Sequence, residues 1–533
     1  HAPRSAIAAT GDGRRLAALS VATAAVLLAG HPQIPAYALG VAALYICVRA
    51  RGTGRWKLLG ALTLGAALAA FALVPMSLLV RRSTRVLALG QAYNDIPLPP
   101  WRLRSLLYPW VNGWPAALAE NKGHEFVAGE DMVFWDTVIY MGLLPLLAAG
   151  SLGAKCIARK RPPAALWLFW IIIGILATVM ALPFAQRLMS LLPGTYLRSP
   201  VRQFYVTTFA LSLAAGLAVE AAWCGVVRAG QPKPRGVWWR RTLVMALLAG
   251  NAADVTLHDR AFIQNTPAGR MDQAQRDILA AAGNARVAFD FSVPVSINRE
   301  IDDVGFFDSL MLARAYRTML SLAQLPATTN IQEFSGSRLS PRALAFLGVK
   351  YVLSRQVRAD LTQVGGWPGI PLYEVPDPAP RAAFYPASAA QWLEAAEIQS
   401  RLRRAETIPR GQILLPGAAR QATTQPAPAR AAPLPCEWKR EGSDTIAVEV
   451  TAPGVGYVML LETADDGWSV SVDGAPASLV IADDAFLAVA VGTGKHAVRF
   501  HYSTPGAWPG LAISAAAAIV LLGMGLHPRK DVK

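Results

Sequence analysis

A group of ionisable side chains directly precedes an apolar run in the first third of the chain. The segment "NKGHEFVAGEDMVFWD" contains His124, Glu125, Glu130, Asp131 and Asp136. Carboxylates at such spacing can bind a divalent ion, orient a hydroxyl group or act as a general base. We expect Glu130, Asp131 and Asp136 to be candidate catalytic residues, with His124 and Glu125 as candidate substrate ligands. An ordinary solvated loop is the alternative interpretation, and the pattern leaves both open.

Two arginines stand four positions apart before another apolar run. The segment "YLRSPVRQFY" contains Arg198 and Arg202. A guanidinium group matches phosphate oxygens with two parallel hydrogen bonds, so the pair is a candidate clamp for a phosphate or pyrophosphate. The alternative is that both side chains extend along the apolar surface to reach lipid headgroups.

Other polar residues indicate structural roles. His31 and Gln33 occupy the short turn "GHPQ", where we expect them to close a hairpin by hydrogen bonding rather than to contact substrate. His496 and His501 are separated by an odd number of strand positions, which places them on opposite faces and argues against a shared metal. The cysteine spacings suggest neither a disulfide framework nor a metal site. No cofactor is certain from the sequence, and a divalent ion on the loop carboxylates is one possibility.

Eight apolar runs suggest that these residues are positioned by membrane-spanning helices. Hydrophobic residues make up 53% of the 533-residue chain and charged residues only 16%, below the roughly 25% of soluble domains. A spanning helix needs about 20 apolar residues. The runs cover about 16–30, 34–48, 58–80, 137–154, 164–182, 204–227, 239–255 and 510–526.

Basic segments set the orientation of these runs. The segments "RARGTGRWK", "KCIARKR", "RAGQPKPRGVWWRR" and "HPRKDVK" alternate along the chain, so all four can face the cytoplasm together. They account for much of the formal charge of +16, and their distribution over short loops disfavours nucleic acid as a partner. Residues 81–136, 183–203 and 256–506 would then lie outside the cytoplasm.

Composition divides the chain into five parts. We expect a membrane-embedded helical domain at 1–255, with an external loop at 81–136, and an extracytoplasmic α/β module at 256–415, which includes a helix at 388–404. A Pro/Ala-rich linker at 416–436 separates this module from a β-sandwich at 437–506. Residues 507–533 form a C-terminal transmembrane helix and a cytoplasmic tail. The predicted fold is thus a polytopic α-helical membrane protein of about eight spans with two external modules.

The β-sandwich is predicted from alternating strands and regular turns. The stretches "TIAVEVTA", "GYVMLLET", "WSVSVDG", "ASLVI", "FLAVAV" and "AVRFHY" follow one another at the spacing of a sandwich. Asp473-Gly474 is a two-residue hairpin turn signal, because both positions of the favoured turn require positive φ.

These motifs together resemble a known family. The segment "DGWSVSVDG", followed by "DDAFLAVAVGTGKHAVRFHYSTPG" and a final span, is similar to the ending of the YfhO-like bacterial membrane proteins. The stretches "LAGHPQIPAY", "VFWDTVIYMGLLPLLAA", "YLRSPVRQFYV" and "LGVKYVLS" agree with the same family in order and spacing.

The resemblance implies a fold and an activity. The family is assigned to the GT-C glycosyltransferases, polytopic enzymes that transfer a sugar from a polyprenyl-phosphate donor on the extracytoplasmic face. It implies a bacterial cytoplasmic membrane location, with the lipid bilayer, a lipid-linked sugar donor and an envelope glycan acceptor as partners. GT-C enzymes carry catalytic acidic residues on a first large external loop. Here the first external turn is only "GHPQ", so we expect that catalytic part to be missing from this chain.

Two other functions remain open from the sequence. One is a non-catalytic, membrane-anchored module that binds or assembles envelope glycans. The other is a transporter or flippase, although the chain has neither the internal repeats nor the paired interrupted helices typical of transporters.

Overall fold

A computed structural model describes most of the chain and divides it into two compact units. The described residues are 13–30, 33–84, 100–108, 140–158, 165–183, 185, 200–225, 237–259, 285–289, 302–307, 311–326, 333–336, 339–367, 370–404, 411–417 and 432–526. The helical unit comprises His1–Ala70, Tyr93–Pro267 and Ile513–Lys533, and the mixed unit comprises Phe71–Ala92 and Ala268–Ala512.

The first part of the chain folds into helices, because a helix satisfies its backbone polar groups within one apolar segment. The helices are α1 (Gly13–Leu27), α2 (Gln33–Arg49), α3 (Thr53–Leu68), α4 (Ala70–Arg82), α5 (Leu143–Ala158), α6 (Ala165–Ala181), α7 (Phe204–Gly225) and α8 (Val237–Asp259). Two short 3-10 helices, Pro100–Leu106 and Pro200–Gln203, accompany them.

Small residues allow close packing inside the helical unit. A Cβ atom on Gly65 of α3 would lie 2.5 Å from the Ser20 carbonyl oxygen of α1, and the Ser20 hydroxyl donates to the Ala61 carbonyl at 2.9 Å. Gly174 of α6 faces Ala210 of α7, which is fully buried. Such contacts replace the hydrophobic driving force that is absent between apolar helices in lipid.

The expectation of eight spans is not supported. Within the described ranges, two helical segments are long and apolar enough to cross a membrane, Val201–Glu220 and Ala507–Met524. A third is added if α3 and α4 count as one span, although they bend by 73°. The other apolar helices fall short for a physical reason, because their apolar stretches contain at most 17 residues, below the roughly 20 that a span requires.

The mixed unit begins with an α/β region. Its first sheet has the order β1-β4-β6-β5, and β1 and β4 run parallel. The elements are β1 (Arg286–Phe289), β2 (Phe306–Phe307), α9 (Ala313–Leu322), β3 (Glu333–Phe334), α10 (Pro341–Phe346), β4 (Val349–Leu353), β5 (Thr362–Trp367) and β6 (Ile370–Glu374). Gly348, with φ of +74°, makes the turn from α10 into β4.

Two five-stranded sheets follow and pack face to face. Their orders are β10-β7-β13-β17-β16 and β11-β12-β18-β14-β15. The elements are β7 (Ala382–Pro386), β8 (Ala390–Leu393), α11 (Ala395–Arg403), β9 (Ile413–Pro416), β10 (Leu434–Pro435), β11 (Glu437–Arg440), β12 (Thr445–Ala452), β13 (Gly456–Thr463), β14 (Trp468–Val472), β15 (Ala475–Ala477), β16 (Leu479–Ala482), β17 (Phe486–Val491) and β18 (Gly494–Tyr502). Phe384 and Phe500 are buried between the sheets.

The structure fits the predicted sandwich and corrects one helix. The helix predicted at 388–404 begins only at Ala395, because Ala390–Leu393 forms strand β8 and pairs in parallel with β9. The final helix, α12 (Ala507–Leu526), agrees with the predicted C-terminal anchor. Its Ser514 hydroxyl donates to the Ala67 carbonyl at 3.2 Å.

The helix α4 is fastened to the sandwich within the mixed unit. Arg82, in its last turn, forms a short ion pair with Asp465 and lies 3.5 Å from Asp466. The Tyr502 hydroxyl donates to the other Asp465 oxygen at 2.8 Å. Asp465 is therefore satisfied from two elements, which explains how a carboxylate with an 8% exposed side chain is tolerated there.

The predicted Asp473-Gly474 turn is confirmed, and replacing Gly474 with alanine should destabilise it modestly. The φ angles are +52° and +81°, and β14 pairs with β15 across the turn. A Cβ at Gly474 meets no atom within 4 Å, so only the left-handed backbone opposes alanine, at a cost of about 1 kcal/mol. Urea unfolding should show this loss for G474A. The control G454A also adds a Cβ in open space but without positive φ, and an equal loss there would contradict the explanation.

Candidate functional site

One end of the helical unit gathers the termini of several helices, and we call it the Arg202 end. Phe204, the first residue of α7, and Val201, in the preceding 3-10 helix, form a buried cluster with Ala181 at the end of α6. Leu103 and Leu106, from the 3-10 helix Pro100–Leu106, pack against this cluster. Chain segments distant in sequence are thus held together around Arg202.

Arg202 is connected to the first turn of α2. Its Nη1 donates a long hydrogen bond of 3.4 Å to Gln33 Oε1. The Gln33 side-chain nitrogen donates to the Tyr37 hydroxyl at 2.7 Å. Gln33 is 2% exposed, so it is a buried amide that connects the arginine to the aromatic ring one turn further along α2.

An apolar groove begins at this chain of contacts and runs along α2, α6 and α7. Its volume is about 410 Å³. Tyr37, Val41 and Tyr45 share one face of α2, at the helical spacing i, i+4, i+8. The groove is lined by Ile34, Tyr37, Ala38, Val41, Ala42, Tyr45, Trp170, Tyr205, Val206 and Phe209.

Aromatic rings stiffen the wall of the groove. Tyr45 stacks on Trp170 with ring centroids 5.6 Å apart, and Trp170 meets Phe209 edge to face at 5.7 Å. Phe209 remains 55% exposed. An apolar channel with a guanidinium near its end can hold an amphiphile, with the apolar chain against the rings and an anionic head toward the arginine.

A second cluster joins an imidazole, a carboxylate and two phenols. Asp254 and His258 lie one turn apart on α8. His258 Nδ1 is 3.2 Å from Asp254 Oδ1 and 2.8 Å from the Asp254 backbone carbonyl oxygen. The Tyr140 hydroxyl donates to Asp254 Oδ2 at 2.5 Å. The rings of Tyr140 and Tyr108 contact the imidazole edge to face, with centroids 5.3 Å and 6.0 Å away.

The Asp254 carboxylate lies between a phenol and an imidazole. Tyr140 donates to its Oδ2, and the His258 ring faces its Oδ1. The cluster offers a carboxylate that accepts on both oxygens and an imidazole oriented by it.

Comparisons with known proteins bear on the C-terminal part. No curated protein matches the chain. A family model described as bacterial membrane protein YfhO matches residues 438–514. We call residues 438–514 the YfhO domain, after the model that they match. The match confirms the resemblance noted in the sequence for this segment.

A solved structure is also similar. It is the single-particle cryo-EM structure of arabinofuranosyltransferase AftD from mycobacteria, with 14% sequence identity and a TM-score of 0.39. The match covers 92% of this chain and 45% of that one, so the chain spans less than half the length of AftD.

The YfhO domain itself contains no shared histidine site. His496 Nδ1 lies 2.7 Å from Asp473 Oδ2, whereas His501 Nδ1 lies 3.0 Å from the Thr445 hydroxyl. The two imidazoles have different partners, in agreement with the prediction that they occupy opposite faces of β18. Within the described ranges, no three His, Cys, Asp or Glu side chains are grouped to hold a metal ion.

Most of the predicted site residues lie outside the described part of the chain. They are His124, Glu125, Glu130, Asp131, Asp136 and Arg198, and they stay predictions, as does the divalent ion. Arg202 is described and contacts Gln33. We expected Gln33 to form hydrogen bonds only within its own turn. It instead contacts Arg202, 169 positions away. His31 is not among the described residues.

Sequence reasoning missed the groove and the Asp254 cluster. The aromatic residues of α2 read as ordinary apolar positions, since the groove exists only where three helices meet. The pair Asp254 and His258 was visible as an i, i+4 combination near the end of an apolar run. Its partners Tyr108 and Tyr140 are 150 and 118 positions before His258, so only the fold brings the four together.

Proposed function

We propose that this protein is a GT-C-like membrane glycosyltransferase, or the donor-holding part of one, that uses a polyprenyl-phosphate-linked sugar. The carrying observation is the aromatic groove whose residue Tyr37 is hydrogen-bonded through Gln33 to Arg202. The YfhO domain supports a membrane protein of this type.

The groove binds the apolar chain of the donor, and the arginine binds its phosphate. The polyprenyl chain lies against Tyr45, Trp170 and Phe209, where each buried methylene contributes about 0.8 kcal/mol. The phosphate accepts charge-assisted hydrogen bonds from Arg202, and Arg198 adds a second guanidinium. Glu130, Asp131 and Asp136 are proposed as catalytic carboxylates, and His124 and Glu125 as ligands for the sugar or for a divalent ion.

Location and acceptor follow from the same proposal. The helical unit lies in the bacterial cytoplasmic membrane, with the basic segments inside and the Arg202 end outside. The acceptor is an envelope glycan, which the YfhO domain binds as it approaches. The proposal does not extend to nucleic acids, because the positive charge of the chain is distributed over short loops.

The direct test is sugar transfer in proteoliposomes. The protein is supplied with radiolabelled pentoses and hexoses linked to decaprenyl phosphate, together with envelope glycan fragments. Transfer to the glycan supports the enzyme. Binding of decaprenyl phosphate without transfer from any donor indicates the non-catalytic assembly module, and movement of the labelled lipid across the bilayer without transfer indicates a flippase. Absence of all three overturns the proposal.

Filling the groove should weaken donor binding without touching the arginine. Ala42 lines the groove, so A42F should displace one or two methylenes of the polyprenyl chain and weaken decaprenyl phosphate binding about 4- to 15-fold. Native mass spectrometry in nanodiscs measures this. The control L44F enlarges a residue of α2 that is 43% exposed and does not line the groove. Equal binding by A42F and the wild type would show that the chain does not occupy the groove.

A further inference from the structure

We propose that a polar pocket in the α/β region of the mixed unit binds a neutral saccharide. The pocket lies where the end of α9 meets the start of α10 and the loop that joins β4 to β5, and its volume is about 350 Å³. Ligand pockets measure roughly 300 to 1,000 Å³, so this one suits a small ligand. Its lining includes Leu322, Gln324, Leu339, Ser340, Arg358 and Asp360. The site goes beyond the proposed function, because binding there does not require sugar transfer.

Gln324 occupies a backbone position that favours glycine. It follows the C-cap of α9 and has a φ of +57°. The Leu325 N–H donates to the Leu320 carbonyl at 2.9 Å, and the Gln324 N–H donates to the Ser321 carbonyl at 3.0 Å. These are the two bonds of a Schellman motif, in which glycine is the usual residue at this point. The chain therefore carries a side-chain amide on the pocket lining although a side chain strains the backbone there.

Arg358 fixes the carboxylate of Asp360 beside the pocket. Its Nε and Nη2 donate to Asp360 Oδ1 and Oδ2, each at 2.8 Å, and Nη2 also donates to the Leu339 carbonyl at 2.9 Å. The Arg358 side chain is 12% exposed, whereas that of Asp360 is 46% exposed. A carboxylate has about four lone-pair sites, and those of Asp360 are not filled by Arg358 and its own N–H. It can accept a further hydrogen bond from a ligand hydroxyl.

Ser340 adds a hydroxyl group to the same lining. Its oxygen accepts from the Ala343 N–H at 3.3 Å, as the N-cap of α10. Within the described ranges no acceptor is assigned to the Ser340 hydroxyl proton, so this group can donate to a ligand. The buried side chains of Leu322 and Leu339 supply the apolar part of the lining, against which the carbons of a sugar ring can pack.

These polar groups match the hydroxyls of a sugar ring. Each sugar hydroxyl both donates and accepts a hydrogen bond. The Asp360 carboxylate accepts, the Ser340 hydroxyl can donate, and the Gln324 amide does both. A neutral polyhydroxyl ligand can therefore satisfy all three groups at once.

Charged and aromatic ligands fit this lining less well. An incoming phosphate would compete with Asp360 for the Arg358 guanidinium, because the two side chains form a bidentate ion pair. A nucleobase would need an aromatic ring to stack on, and none of the described residues that line the pocket is aromatic. A pocket that depends on a few neutral hydrogen bonds should bind a single sugar with a Kd of about 1 mM.

The test is saturation-transfer difference NMR on the whole chain in nanodiscs prepared without sugar-based detergents. The probes are glucose, galactose, mannose, arabinose and N-acetylglucosamine. At least one of them should bind with a Kd of about 1 mM. Excess inorganic phosphate should not displace it, because the guanidinium in the pocket is already neutralised by Asp360.

Two variants locate the binding, and the first separates it from folding. Q324G removes the amide and relieves the backbone, so sugar binding should fall at least about fivefold while the urea midpoint equals or exceeds that of the wild type. D360N replaces a charged acceptor with a neutral amide and should weaken binding about tenfold or more. The control D377G also replaces an exposed residue of positive φ, +54°, by glycine. Asp377 does not line the pocket, so D377G should bind sugar as the wild type does.

The outcomes decide the saccharide site independently of the proposed function. The site is overturned if no probe binds to the wild type, if Q324G and D360N bind as the wild type does, or if phosphate displaces the sugar. Transfer in proteoliposomes without sugar binding in this pocket leaves the transferase standing and removes the site. Sugar binding that Q324G and D360N lose, without transfer from any donor, keeps the site and removes the transferase.

Discussion

Replacing Arg202 with alanine should weaken the binding of decaprenyl phosphate about 10- to 100-fold and leave the binding of decaprenol, the uncharged alcohol, unchanged. A hydrogen bond to a charged group contributes about 1.5–3 kcal/mol, which corresponds to that range. The alcohol has the same apolar chain but no phosphate. The preference for phosphate over alcohol, measured by native mass spectrometry in nanodiscs, therefore isolates the guanidinium contribution from the groove.

Two further variants make this measurement specific. R202K keeps the positive charge but loses the planar pair of donors, so it should recover only part of the phosphate preference. R55A removes an equal charge from α3, where the guanidinium binds the Ala50 carbonyl, and should bind as the wild type. If R202A keeps the full preference for phosphate, Arg202 serves only to anchor the helix at lipid headgroups.

The sequence predicted those parts of the fold that depend on patterns among residues close together in the chain. The strands Thr445–Ala452, Gly456–Thr463 and Phe486–Val491 agree with the predicted stretches, because alternation and turn residues are local properties. Strand β7 was not assigned to the sandwich, although it pairs with β13 in register from Ala382 to Pro386. About 70 positions separate the two strands, and no local pattern reports a pairing over that distance.

The same distinction applies to the candidate site, where single residues were predicted but contacts between distant segments were not. Arg202 was identified from its own residue type and from the apolar run that follows it. The groove and the Asp254 cluster depend on contacts between distant chain segments. Examples are the stacking of Tyr45 on Trp170 and the hydrogen bond from Tyr140 to Asp254. The prediction of eight spans is not supported, because four of the described apolar helices have apolar stretches of at most 17 residues and the run 58–80 is divided between α3 and α4, which bend by 73°.

A buried carboxylate in the sandwich should make its stability depend on pH. Asp483 is 1% exposed, in the tight turn between β16 and β17. One of its carboxylate oxygens accepts a hydrogen bond from the Leu414 backbone nitrogen at 2.8 Å. Burial raises the pKa of Asp483 to about 7, even though the Leu414 N–H opposes the shift. In the unfolded chain an aspartate titrates near its ordinary value of about 3.9.

The sign follows from these two values. Between pH 4 and 7 the folded state keeps a proton that the unfolded state has lost, so stability falls as pH rises through this range and levels off above it. The full difference is about 4 kcal/mol, at 1.36 kcal/mol for each pKa unit. The variant D483N keeps the shape of the side chain, carries no charge and tolerates the φ of +52° at this position. It should therefore be more stable than the wild type at pH 8.

Pulse proteolysis of the whole chain in urea, at pH 5, 6, 7 and 8, measures this difference. The urea midpoint of the wild type should fall over this range, and that of D483N should fall less. Asp303, whose pKa burial raises to about 6, contributes equally to both proteins, so the difference between the two slopes belongs to Asp483. The control D360N changes an aspartate that pairs with Arg358. The hydrogen bond from Arg358 lowers the pKa of Asp360, and arginine does not titrate in this range, so D360N should keep the wild-type slope. Equal slopes for D483N and the wild type would contradict this explanation, because Asp483 would then already be ionised in the folded protein across the tested range.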